Sequence, residues 1–170
     1  HVAYFDSGAE VLTTNTYGAN RLKLSRHGLA EQIGEINRAG VHLARRAGDE
    51  TTLVAGSVGP LGREQMSGHS QEELIEVFGE QIGAGADFIL GESMPSLSDA
   101  RLFLKAVEKY SDIPYMISFA TDRDLTLAFG EDLAPFMNEI KALSKAPTAI
   151  GLNCGIGPEP MLAALEKLGV

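Results

Sequence analysis

The chain has 170 residues and a net charge of −9, with 44% hydrophobic and 22% charged residues. This is the composition of one soluble domain with a core of its own. It excludes a nucleic-acid role, because no basic stripe offsets the charge, and a membrane span, because no apolar run nears about 20 residues. A single cysteine excludes an internal disulfide and fits a reducing, cytoplasmic setting.

Read from its start, the chain opens at His1 on Val2-Ala3-Tyr4-Phe5-Asp6, which reads as the end of a helix already under way. Gly8-Ala9-Glu10 then turns into a first strand, predicted over Val11–Thr16. Leu29, Ile33, Ile36, Gly40, Leu43 and Ala47 recur at spacings of three and four and predict one buried helical stripe. A second strand follows over Thr52–Val58. Ser70-Gln71-Glu72-Glu73 is a capping-box signature ahead of Leu74, Val77, Phe78 and Ile82. Gly85-Ala86-Asp87 repeats the earlier helix-to-strand turn and leads to a third strand, Phe88–Met94. Ser96-Leu97-Ser98-Asp99 starts another helix, and Tyr115–Ala120 is the fourth strand. Leu133, Phe136, Met137, Ile140 and Leu143 mark a further helix before the fifth strand, Thr148–Cys154. Pro158 and Pro160 open the last helix, with Met161, Leu162, Leu165 and Leu168 as its stripe. A next strand is expected to begin at Leu168-Gly169-Val170. Both ends therefore read as cut, and residues 1–170 as one incomplete domain.

Five short apolar strands alternating with helices give either an open doubly wound sheet or part of a (β/α)8 barrel. A whole barrel needs about 250 residues. Length alone favours the open sheet. The strand ends favour the barrel, because all five are polar: Thr13-Thr14-Asn15-Thr16, Ser57, Glu92-Ser93, Ser118 and Asn153-Cys154. Barrel tips converge on one face, whereas an open sheet concentrates its site at one switch point. The expected class is a partial (β/α)8 barrel of about five βα units.

Among these tips, Glu92 closes an apolar strand, where a carboxylate is costly unless solvated or paired. It reads as an ammonium holder or a base, against the plainer role of a cap. Asn15, Asn153 and Ser118 offer donors and acceptors that orient a ligand or tie loops. Ser57 reads as satisfying the backbone. His27 and His42 fall in helical segments, His69 in a loop and His1 at the terminus, with no metal-ligand spacing. No lysine lies on an inner strand, which argues against Schiff-base chemistry. Gly155 and Gly157 ahead of a helix form a weak phosphate-loop pattern. Cys154, at a strand tip beside a glycine turn, is a candidate metal ligand or nucleophile, against the plain role of a buried free thiol.

Several runs together resemble the homocysteine S-methyltransferase family, and most closely the homocysteine-binding domain of cobalamin-dependent methionine synthases and related enzymes. They are Thr14-Asn15-Thr16-Tyr17-Gly18-Ala19-Asn20, Glu35-Ile36-Asn37 with Leu43-Ala44-Arg45, Val54-Ala55-Gly56-Ser57-Val58-Gly59-Pro60, Gly85-Ala86-Asp87 with Glu92-Ser93-Met94, and Gly151-Leu152-Asn153-Cys154-Gly155 with Gly157-Pro158-Glu159. The likeness is spread over nearly the whole chain in order. It implies a barrel whose second to sixth strands lie here. It implies a zinc ion held by three thiolates, of which Cys154 matches one. The adjacent cysteine pair that supplies the others, and an early Asp-Gly run that helps bind homocysteine, have no counterpart in this sequence. Glu92 matches the acidic residue that holds the substrate's amino group, and Ser93 stands where a threonine is usual. Asn15, Ser118 and Asn153 are expected beside Glu92 as substrate-binding groups. The implied reaction is attack of a zinc-bound homocysteine thiolate on an activated methyl group, giving methionine, with these residues alone inactive. The implied donor is methyltetrahydrofolate through cobalamin, betaine or S-methylmethionine. Two other readings use the same residues. One is a barrel enzyme with a phosphate loop at Gly155–Gly157 and Glu92 as acid/base. The other is a non-catalytic five-stranded open binding module.

Overall fold

The structure is a computed structural model that describes residues 1–168. Of the strand expected to begin at Leu168-Gly169-Val170, Leu168 instead ends the last helix, and Gly169 and Val170 lie outside the described residues. The chain runs through α1 (Val2–Asp6), β1 (Val11–Thr13), α2 (Arg21–Ser25), a 3-10 turn at Ala30–Gln32, α3 (Ile33–Ala47) and β2 (Leu53–Val58). It continues with α4 (Arg63–Met66), α5 (Gln71–Ile82), β3 (Phe88–Met94), α6 (Leu97–Tyr110), β4 (Tyr115–Phe119), α7 (Leu133–Lys141), β5 (Ala149–Leu152) and α8 (Pro158–Leu168).

All five strands are parallel and lie in the order β1-β2-β3-β4-β5. This order separates the two architectures that the sequence left open. A doubly wound sheet reverses direction once and gains its switch point there. Here every crossover steps the same way. Right-handed crossovers that never reverse put all the connecting helices on one face, as in a barrel wall. Helix neighbours accordingly pack in sequence, α3 on α5 and α5 on α6.

Strand alternation then divides the side chains. Leu12 and Val54 meet Val41 and Ala44 of α3, and Ile89, Ile117 and Phe119 join a larger core with Phe78, Phe103, Phe136 and Ile140. Phe103 is the centre of that core, edge-on to Phe78 at 6.0 Å and to Tyr115 at 6.2 Å. Gly91 of β3 has no side chain because Phe103 fills the place, with a ring carbon 2.5 Å from where a Cβ would sit. The alternate residues turn to the opposite face. Val11 and Leu53 are paired there, 40% and 48% exposed. Ser57, Glu92 and Ser118 occupy the C-terminal part of this face.

The helix signals hold. Ser70 and Glu73 form the reciprocal capping box, and Ser96 caps α6 by accepting from Asp99 N–H at 3.0 Å. Gly8 and Gly85 are left-handed, with φ of 91° and 88°. Three apolar residues placed on helical stripes are in fact exposed, Leu43 at 58%, Leu143 at 37% and Leu162 at 61%. In α3 the buried face is Ile33, Asn37, Val41 and Ala44. Asn37 belongs to it because its amide donates to Ala19 O and Ile33 O, so a polar residue replaces an apolar one on the stripe. His27 lies in the turn after α2 and not in a helix.

β3 spans the expected Phe88–Met94, and the other four strands are shorter than expected. β1 stops at Thr13 because side chains take over from the ladder. Thr14 Oγ1 accepts from Ser57 N–H at 2.9 Å, and Thr16 Oγ1 donates to Ser57 O at 2.9 Å. Thr52 belongs to a turn built on Asp49, whose Oδ1 accepts from its hydroxyl and its N–H. Between β4 and α7, residues 120–132 form a small antiparallel excursion, with bridges Thr121–Leu127 and Thr126–Asp132. It buries Leu125 and Leu127 and is tied to the end of β3 by Ala128 N–H on Pro95 O at 3.1 Å. No helix among the described residues is long and apolar enough to cross a membrane.

Candidate active site

The site is built at the ends of β3, β4 and β5. β3 shifts register between Gly91 and Met94. A bulge of this kind re-aims side chains and leaves a backbone group without its ladder partner. Here it lifts Glu92 and Ser93 off the regular pleat, and Ser93 is left-handed with φ 58°. The free Ser93 N–H finds the side chain of Asn153, one residue past β5, at 2.9 Å.

Asn153 joins three strand ends. Its Oδ1 also accepts from Ser118 Oγ at 2.7 Å, and its Nδ2 donates to Ser93 Oγ at 2.7 Å. Asn153 N–H continues the ladder to Phe119 O at 3.0 Å. The next residue, Cys154, leaves the ladder in a left-handed conformation with φ 62°. Its sulfur is exposed, 3.4 Å from Ser93 Oγ and 3.5 Å from Asn153 Nδ2. Cys154 is thus a turn residue and not a strand residue.

Glu92 is half-buried beside it. Ser57, itself 1% exposed, donates from Oγ to Glu92 Oε1. The other carboxylate oxygen has no protein donor among the described residues. Ser57 is fixed in turn by Thr14 and Thr16 and by Gln81 of α5, whose amide reaches Ser57 O at 3.2 Å. Sequence reading underrated Ser57, because its partner lies on the neighbouring strand and only the register reveals it.

Tyr17 closes the cluster on the β1 side. Burial pushes its phenol pKa up, and the nearby carboxylate of Glu92 adds to the rise. Its ring lies over Gly59, where a Cβ would come within 2.7 Å of it. Lys23 Nζ sits 5.4 Å from the ring centre and donates to Pro60 O at 2.7 Å. Burial lowers the Lys23 pKa, while Asp99 opposes that shift. Asp99 also holds the following loop by accepting from Leu61 N–H at 3.0 Å.

The structure therefore gathers Glu92, Ser118, Asn153 and Cys154. It leaves Asn15 apart. That side chain is exposed and lines a groove with His1, Tyr4, Val11 and Thr13. None of the four histidines joins the cluster; His1 Nε2 lies 2.9 Å from Thr13 O, and His69 faces Glu73 at 3.9 Å. The Gly155–Gly157 loop is poorly free to cradle a phosphate. Ile156 N–H is taken by Cys154 O at 2.8 Å, and Gly155 packs on Thr121 O.

One family model, Homocysteine S-methyltransferase, matches residues 1–170. The chain belongs to the homocysteine S-methyltransferase family. Among characterised members it is 27% identical to the methionine synthases of Mycobacterium leprae and of Mycobacterium tuberculosis over 99% of this chain and 15% of theirs. The chain thus spans a small part of the length of these relatives. Among solved structures it superposes on the homocysteine methyltransferase MmuM from Escherichia coli, oxidized form, with a TM-score of 0.83 at 28% identity, and on its apo form with 0.76 at 26%. Each superposition covers 99% of this chain and 64% of the other. That share is close to five-eighths of a barrel, in line with five consecutive βα units. Membership and the unreversed strand order together favour the barrel wall over a doubly wound sheet.

Proposed function

We propose that this chain carries part of the active site of an enzyme that transfers a methyl group to homocysteine. The observation that carries the reading is the hydrogen-bonded group Ser93–Asn153–Cys154, with Glu92 next to Ser93 in the chain, which sets a carboxylate and a thiol on one patch of the barrel's C-terminal face. Homocysteine has an ammonium group at one end and a thiol at the other. Glu92 is suited to the ammonium, because Ser57 fixes one carboxylate oxygen and leaves the second for the ligand. Tyr17 and Gly59 wall the site beside it. In the reaction homocysteine loses its thiol proton. Its sulfur forms a bond to the methyl carbon as the methyl–donor bond breaks, and that electron pair leaves with the donor.

The family's zinc, when bound, supplies a Lewis acid that keeps the substrate sulfur as thiolate. Cys154 is suited to be one of its donors, being exposed and soft. The residues here do not make the site by themselves. Ser93 and Asn153 are the nearest polar groups and neither is a zinc donor, and no group of three His, Cys, Asp or Glu side chains able to hold a metal occurs among the described residues. Two further thiolates are needed from outside this sequence, and the chain alone is expected to be inactive. The choice among methyltetrahydrofolate through cobalamin, betaine and S-methylmethionine as donor rests on parts not contained in these residues.

The test is homocysteine binding by calorimetry, with Glu92→Gln and Cys154→Ser. Glu92→Gln is expected to weaken binding by about tenfold or more, as for a lost hydrogen bond to a charged group. In the full-length protein, Cys154→Ser is expected to lower bound zinc. Unchanged homocysteine affinity in Glu92→Gln sinks the substrate assignment, and wild-type zinc content in Cys154→Ser sinks the metal assignment.

A further inference from the structure

Asn153 has no hydrogen-bonding capacity left for a ligand. An asparagine side chain offers two acceptor positions and two donor hydrogens. Both acceptor positions are used, by Ser93 N–H at 2.9 Å and Ser118 Oγ at 2.7 Å. Both hydrogens are used, by Ser93 Oγ at 2.7 Å and Cys154 Sγ at 3.5 Å. The amide orientation is fixed by chemistry, since the Ser93 backbone N–H can only donate and must face the oxygen.

We propose that Asn153 is a positioning residue that acts through Ser93 and Cys154 and does not touch the substrate. The two halves of its amide hold different things. The oxygen supplies the acceptor that the β3 bulge removes from Ser93, and so fixes the backbone next to Glu92. The nitrogen reaches the sulfur of Cys154 directly and through Ser93 Oγ. Two adjacent left-handed residues in space, at φ 58° and 62°, are otherwise unfavourable, and this brace is what holds both. A substrate-binding role, natural for an asparagine at a strand tip, would need one of these four bonds to break.

The inference rests on the proposed function only in naming homocysteine as the molecule that the held groups face. Its test separates the two. Cys154 is the sole cysteine of this chain, so in the full-length protein iodoacetamide alkylation followed at the Cys154 peptide by mass spectrometry reads that sulfur alone. Hydrogen exchange of the Ser93 amide, followed by NMR, reads the oxygen half. In Asn153→Ala without ligand, Ser93 exchange is expected to rise about tenfold and the Cys154 alkylation rate to depart from wild type by about threefold or more. Asn153→Asp keeps both acceptor positions and loses both donors. It is expected to return Ser93 exchange to within about threefold of wild type, while Cys154, facing a carboxylate oxygen in place of the amide N–H, still alkylates at a rate that departs from wild type by about threefold or more. If Asn153→Ala leaves both readouts at wild-type values and weakens homocysteine binding, Asn153 is a substrate ligand and the proposal fails. If Asn153→Asp moves both readouts together, the residue is a general fold stabiliser and the proposal also fails. Should the alanine variant not fold, the aspartate variant alone distinguishes these cases. Absence of homocysteine binding in the wild type would overturn the proposed function and leave both ligand-free readouts in force.

Discussion

Gly155→Ala tests how tightly the Cys154 turn is locked to the rest of the site. Gly155 has φ 76°, and a Cβ there would lie 2.6 Å from the carbonyl oxygen of Thr121. Two costs arise. A left-handed conformation costs an L-residue about 1–2 kcal/mol, of which the stiffer unfolded chain returns about 0.4–1. The contact adds about 1–3 kcal/mol, because a backbone carbonyl cannot swing away as a side chain can. Gly130 is the internal control. Its φ is 81° and nothing lies within 4 Å of its Cβ position, so Gly130→Ala isolates the first cost. The expected losses are about 1 kcal/mol for Gly130→Ala and about 3 kcal/mol for Gly155→Ala. Urea unfolding with an unchanged m-value measures both. In thermal scans the two should differ by about 6 °C for a chain of this size. Equal destabilisation of the two variants would refute the reasoning, since it would mean that the Thr121 loop yields freely to an added methyl.

Three further outcomes are expected. Ser57→Ala leaves Glu92 without its donor and should weaken homocysteine binding by about tenfold in calorimetry; wild-type affinity would mean that Glu92 orients itself. Gly91→Ala should cost about 1–3 kcal/mol in urea unfolding by displacing Phe103, and adding Phe103→Leu should recover part of that loss; strict additivity of the two changes would deny the contact. Asp87 has its pKa lowered first by the Arg45 hydrogen bond and then by Val54 N–H. A lowered carboxylate stabilises the fold above its unfolded pKa of about 3.9 and loses that contribution as pH falls through the folded value. The urea midpoint should therefore drop from about pH 5 downward, and Asp87→Asn should flatten that drop; an acid limb of wild-type steepness in the variant would exclude Asp87 as a cause.

Much of this was legible in the residues. Ser70 and Ser96 announced their helices because caps are local chemistry. Short apolar runs announced five strands, and their polar ends announced a barrel. What escaped reading depends on contacts between strands. Ser57 became a partner of Glu92 only once β2 and β3 were in register. The early end of β1 reflects threonine hydroxyls that replace a ladder, a substitution with no periodic signature. The excursion at 120–132 buries Leu125 and Leu127 without any repeat to mark it. Cys154 lies two residues past the end of β5 and not at its last position, because Asn153 sustains the left-handed turn that exposes it.

The unreversed order of the strands also bears on how the chain comes to be folded. Each strand pairs with the one made just before it. None must wait for a partner made much later, as the first strand of a doubly wound sheet must. A chain emerging from a ribosome could therefore add one strand and helix at a time to a growing edge, each step closing a loop of modest length. The groups that meet at Asn153 come from three consecutive strands, β3, β4 and β5. The chemistry of the patch would be assembled only when β5 joins that edge, on strands and helices already in place.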